Sequence, residues 1–250
     1  MFEYPKSLRA DLLVLVSVLL IWIILTELIF IGNSIFPSPS LVILSYKDLF
    51  SDYNFLINLV SSITVVYLSF FISFFIINLK FPIISSRANY IKYLIKIPNY
   101  FLFIPDILIG ILLIYWFGNS YFIKLIFGIF INAYLIYEQL LSFNDKTIKS
   151  QIDSAKSFGV SNLMIQRKIV WKFIEPEIFN QFIKKQHVIW SSIIAFEFIQ
   201  NYDGIGFIIR RALGFQDLSL IISVIILLSL IVLVFDKILK FIDNKYFHWN

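Results

Sequence analysis

The sequence predicts an all-α membrane protein with six spanning helices and both termini in the cytoplasm. Three observations carry this reading. Of 250 residues, 59% are hydrophobic and the mean hydropathy is +0.84, whereas soluble domains hold about 45–50% apolar residues. The apolar residues gather into six stretches, most of them near the roughly 20 residues a bilayer requires. The basic residues are distributed unevenly between the two sets of loops that these stretches define.

The first stretch, 12–31, follows Lys6 and Arg9 as a signal peptide would. It is too long for one and no small-residue cleavage site follows, so it reads as a retained helix. The stretches 56–79, 100–117 and 122–141 are long apolar runs. Residues 142–183 form the longest polar segment. The fifth stretch, 186–200, is short and interrupted by Ser191 and Ser192, which suits a helix inside a bundle better than one facing lipid. The sixth is 218–239.

Lys and Arg concentrate in cytoplasmic loops. With the N-terminus inside, only Lys47, Lys124, Arg210 and Arg211 of the 21 basic residues fall outside. The inverse topology would put the other 17 outside. A single transmembrane domain over 1–250 is the expected organisation. The basic residues are accounted for by topology, and no nucleic-acid partner is expected.

Composition also excludes chemistry. There are no cysteines, so disulfides and thiolate metal sites are absent. His187 and His248 are too far apart in sequence to suggest a metal cluster. No G-x-x-x-x-G-K-[ST] phosphate loop occurs, so the chain does not hydrolyse ATP by itself. Gly204 and Gly206 read as a turn pair.

Within 142–183, Ile152, Ala155 and Phe158 recur at helical spacing. Gly159 is placed to end that helix in a left-handed conformation. Ser161 is placed to cap a second helix through Leu163, Ile165 and Ile169. Pro176 is expected to restart the chain before the fifth span. Two short helices joined at a glycine make a knob. It reads either as a docking element for a cytoplasmic partner or as an amphipathic loop on anionic headgroups.

The segment resembles the EAA loop of ABC-transporter permeases, which runs E-A-A, three residues, G, nine residues, I-x-L-P. Here Asp153-Ser154-Ala155 stands for the triplet, Gly159 for the glycine and Ile169 for the isoleucine. Asp replaces Glu, Ser replaces Ala, and Trp171-Lys172 replaces Leu-Pro. Further segments resemble the sulfonate, taurine and nitrate branch: "FPSPS" at 36–40, Ile104-Pro105-Asp106, Trp116-Phe117-Gly118, Ala195 with Glu197, "DGIGFII" at 203–209, and a basic tail with Trp249. The likeness runs collinearly over residues 30–250.

That resemblance implies an importer subunit with no cofactor of its own. ATP and Mg would sit on a separate cytoplasmic ATPase dimer, docked through Asp153, Ser154, Ala155, Phe158, Gly159, Val160 and Leu163. A second permease copy and an extracytoplasmic solute-binding protein would complete the assembly. Sulfonates, taurine, nitrate or a thiamine-precursor-like solute are the substrates the branch suggests. The competing classes are a self-contained secondary carrier and a membrane scaffold that transports nothing; no internal repeat supports the former.

Ionisable residues inside spans are costly and often mark pathways. Asp106 reads as pathway lining, as an interfacial charge or as a helix N-cap. Glu197 reads as lining an outward vestibule. Trp190 reads as a pore aromatic or as packing. Asn132 and His187 are expected to make interhelical hydrogen bonds, and Glu27 and Glu138 to reach the interfaces.

Overall fold

The structure, a computed structural model, describes residues 8–30, 35–85, 104–142 and 148–246. Among them the regular structure is entirely helical. In chain order the helices are α1 (Leu8–Ile23, continued by a π-helical stretch Ile24–Ile29), α2 (Pro39–Ser51), α3 (Phe55–Ser85), α4 (Asp106–Phe117) and α5 (Tyr121–Ser142). They are followed by α6 (Lys149–Ser157), α7 (Asn162–Ile165, continued as π-helix over Gln166–Val170), α8 (Trp171–Gln200), α9 (Ile205–Gly214) and α10 (Leu218–Tyr246). Lys6, the basic residues at 87, 92, 96 and 146, the first part of the third span (100–103), residues 143–147, His248 and Trp249 lie outside the described residues.

Three stretches are long and apolar enough to cross a membrane: Phe55–Ile83, Tyr121–Leu140 and Leu218–Tyr246. Val16–Ile29 and Asp106–Phe117 are shorter apolar helices. Their outward faces are apolar too. Leu230, Leu233 and Val234 on α10 and Leu68, Phe71 and Phe75 on α3 are exposed, as expected where lipid rather than water is the solvent.

The chain divides into two compact units. The first comprises Met1–Leu56 and Ile208–Leu230. Pro39 sits at the start of α2 behind the extended Ser38, where its missing N–H has no helical partner to lose. Val42, Ser45 and Leu49 form the buried stripe of α2. Ser45 and Ser223 share a 2.6 Å hydrogen bond, and Ser223 also donates to the Val42 carbonyl at 2.9 Å. The Arg211 guanidinium lies 4.8 Å from the Tyr53 ring centre. Glu27 accepts a long 3.4 Å bond from the Ser40 amide.

The second unit, Ile57–Phe207 with Ile231–Asn250, carries the rest. Here α3 and α5 run in the same direction and α8 runs against both. At one end Glu197 of α8 meets Ser62 of α3 and Lys124 of α5. At the other, Trp171 packs on Phe74 and Phe81, and Glu177 meets Gln139. These are the relative directions that the six-span reading requires of spans two, four and five. Phe70 stacks on Phe182 with ring centres 3.7 Å apart, and Phe127 on Phe196 at 4.5 Å. Small residues let α3 and α5 approach closely. A Cβ on Gly128 would stand 2.8 Å from Ser69 Oγ. Asn132 donates to that same Ser69 oxygen at 2.9 Å and to the Gly128 carbonyl at 3.0 Å, so its expected interhelical bond is present. His187, in contrast, is exposed. Glu138 is exposed and paired with Lys185 at 2.6 Å.

One boundary differs from the sequence reading. Pro176 does not restart the chain. It lies buried inside α8, which is continuous for 30 residues from Trp171. A proline is accommodated in a bundle helix when neighbouring groups satisfy the freed backbone. The fifth apolar stretch is therefore the last half of a longer helix.

Candidate functional site: a helical knob and a buried ion cluster

The knob is built as its residue types dictate. α6 ends at Ser157, and Gly159 takes φ +73°. The Gly159 amide donates to the Lys156 carbonyl at 2.9 Å and the Val160 amide to the Ala155 carbonyl at 3.1 Å. This pair of bonds is the Schellman arrangement, which satisfies the last carbonyls of a helix and needs a left-handed residue. Ser161 occupies the N-cap position of α7 in extended conformation, yet its hydroxyl makes no capping bond. Its carbonyl accepts the Ile165 amide at 3.0 Å. Asp153 and Ser154 are exposed on α6, and Ala155 and Val160 are half-buried. Phe158 is 86% exposed; Leu163 and Met164 are exposed beside it. Much of the apolar surface of these three side chains is left uncovered by the described residues.

The remaining sequence-selected residues take different positions. Asp106 is the first residue of α4, and its Oδ2 accepts the Ser192 hydroxyl at 2.6 Å. Trp190 is buried, with its ring edge-on to Tyr67 at 6.5 Å; it packs in the core. Glu197 is fully buried among the described residues.

Glu197 belongs instead to an ion cluster that sequence reading missed. Lys124, counted from sequence as an outside charge, is fully buried. Its ammonium lies 3.1 Å from Glu197 Oε1, 3.0 Å from Asp203 Oδ1 and 2.6 Å from Ser61 Oγ. Ser61 in turn donates to Asp203. Ser62 donates to Glu197 at 2.7 Å, and the Gly206 amide donates to Glu197 Oε2 at 3.0 Å. The Gly204 amide donates to Asn58 Oδ1 at 2.8 Å and the Ile205 amide to Ser62 Oγ at 2.9 Å. Three successive amides at the start of α9 are thus satisfied by side chains of α3 and α8, which is how an orphaned helix N-terminus is capped. A Cβ on Gly206 would collide with the Ile194 carbonyl, and one on Gly204, at φ +101°, with the Glu197 carboxylate. The signal was present in the sequence: Lys124 falls inside the 122–141 span, where a charge demands a partner.

Among the described residues the chain is a helical bundle with long apolar helices and an exposed apolar knob. The family model for the inner-membrane component of binding-protein-dependent transport systems matches residues 85–248, well over half of the chain. The chain belongs to that family. A protein of Methanocaldococcus jannaschii named "Putative ABC transporter permease protein" is 28% identical over 137 residues. The match covers 54% of this chain and 51% of the relative, so the chain spans about half the length of the curated relative it matches. No solved structure matches. As a member of this family the chain is a membrane component of a transport system.

A prediction follows from the crowded turn. Gly206→Ala should lower thermal stability of the purified permease by about 1–3 kcal/mol, because an existing backbone contact must open. Gly214→Ala, at a glycine with nothing within 4 Å of its would-be Cβ, is the matched control and should leave the unfolding temperature near that of the parent.

Proposed function

We propose that this permease is the membrane subunit of an ATP-driven importer, forming the solute path and coupling it to a separate ATPase dimer through residues 153–163. The observation that carries the reading is the exposed Phe158, Leu163 and Met164 on a glycine-locked helical turn, in a chain whose family is defined by binding-protein-dependent transport. Phe158, Val160 and Leu163 fill a groove on the ATPase, and Asp153 pairs with one of its basic residues. A second permease copy, an extracytoplasmic solute-binding protein and the ATP-Mg held by the ATPase complete the machine. Six spans place both termini and the knob in the cytoplasm and the Lys124 cluster at the outer end. Tyr115, Trp116 and Phe117, all exposed at the end of α4, suit the aromatic belt of the outer interface.

The topology is tested with single cysteines in this cysteine-free chain. Ser154→Cys and Tyr202→Cys are both exposed positions. Tyr202 is preferable to Asn201, whose φ of +54° would strain a cysteine. Cysteine at 202 should react with an impermeant maleimide in intact spheroplasts and cysteine at 154 only after lysis. Labelling of both from one side overturns the six-span arrangement.

Substrate class is addressed at Asp106. Ser192 donates to its carboxylate, and Ser192 is not a counter-charge. A carboxylate on the path repels simple anions, so with Asp106 on the path the cargo carries positive or zwitterionic charge, as taurine does. Asp106→Asn keeps shape and the Ser192 bond, and uptake of such a solute with ATPase and binding protein present should fall severalfold. Unchanged uptake takes Asp106 off the path and restores nitrate and sulfonates as candidates.

A further inference from the structure

The ion cluster joins four parts of the chain with no redundancy. Lys124 meets oxygens on three different elements: it donates to Ser61 on α3 and to Glu197 on α8, and it forms an ion pair with Asp203 in the turn before α9. Glu197 collects donors from the same elements, Ser62 on α3, Lys124 on α5 and the Gly206 amide on α9. Withdrawing any one element therefore strips a partner from a buried ion, and an uncompensated buried charge is strongly unfavourable. Lys124 and Glu197 are inaccessible to water, while the Asp203 side chain is 24% exposed, so water has little means to replace a lost bond. Steric fit acts in the same direction. Neither Gly204 nor Gly206 has room for a side chain, so the turn seats directly on α8.

We infer that this cluster is a permanent clasp: it holds the Lys124 ends of α3, α5 and α8, with the first turn of α9, as one rigid block that stays closed throughout the transport cycle. Movement that opens the path at this end then occurs at other contacts and carries the block as a body. The cycle is that of the proposed importer; the clasp itself stands on the geometry alone.

Spin labels on cysteines at Ile57, Phe122 and Tyr202, all exposed, report the block by distance measurement. In the permease alone, in nanodiscs, the 57–122 and 122–202 distances should be narrow. Lys124→Met should widen both about twofold, and Asp203→Asn should widen the 122–202 distance, because local opening follows loss of buried partners. Unchanged widths in both variants overturn the clasp. If Lys124→Met fails to insert, the partly exposed Asp203→Asn decides. In the assembled transporter, nucleotide-free and vanadate-trapped samples should give superimposable distances, and a shift in either overturns the inference. Failure of any ATPase to assemble counts against the importer reading instead, and the nanodisc comparison still decides the clasp.

Discussion

Lys124→Met is expected to destabilise the permease by about 3–5 kcal/mol, the range for removing one partner from a buried ion pair. Methionine is close to lysine in length and fills the space, so packing loss is minor. What remains is two carboxylates, Glu197 and Asp203, facing each other's surroundings without the ammonium that lay 3.1 and 3.0 Å from them. Ser61 also loses the 2.6 Å bond it accepts. The measurement is thermal unfolding of purified protein beside the parent. A second comparison isolates the electrostatic origin. Lys124→Met/Glu197→Gln/Asp203→Asn removes the uncompensated charge and should be less destabilised than the single variant, a non-additivity expected only of groups in one network. A Lys124→Met protein as stable as the parent would show that the ammonium contributes nothing.

Gly159→Val should leave insertion and stability nearly intact and abolish coupling to the ATPase. Gly159 has φ +73°, and nothing lies within 4 Å of a Cβ built there, so the cost is conformational rather than steric contact with neighbours. A β-branched residue in the left-handed region is strained by about 1–3 kcal/mol. That is enough to unmake the two Schellman bonds and swing α7 relative to α6, while the spans are untouched. Phe158 and Leu163 then no longer present one surface. Gly159→Asn is the informative control, since Asn tolerates the left-handed conformation; it should retain most ATPase association where Val loses it. Equal loss in both variants would point to the absence of a side chain, not to the turn, as the requirement.

The parts of this molecule that sequence conveyed were those governed by local rules. The apolar runs at 56–79, 122–141 and 218–239 sit in helices because lipid requires it of long apolar segments. Gly159 ends α6 as read, because glycine enters that backbone region at the lowest cost. Ser161 took the cap position but not the cap bond. Pro176 was misread because its local rule, that proline breaks a helix, yields to burial inside a bundle. Long-range polar pairing was the least legible. Lys124 and Glu197 are 73 positions apart, and nothing in either neighbourhood names the other. Each was given a separate role, an outside loop charge and a vestibule residue, when burial makes them one object. The edge-on contact of Trp190 with Tyr67 likewise could not be read from either neighbourhood.

Coupling of this permease to an ATPase through its knob can be measured by isolating the tagged chain from its native membranes and assaying the eluate. The eluate should contain a co-purifying ATP-binding subunit whose vanadate-sensitive hydrolysis rises with a substrate-loaded binding protein, and that subunit should be missing from the Gly159→Val eluate. Solute uptake by the permease alone in proteoliposomes, with no ATPase present, would contradict it.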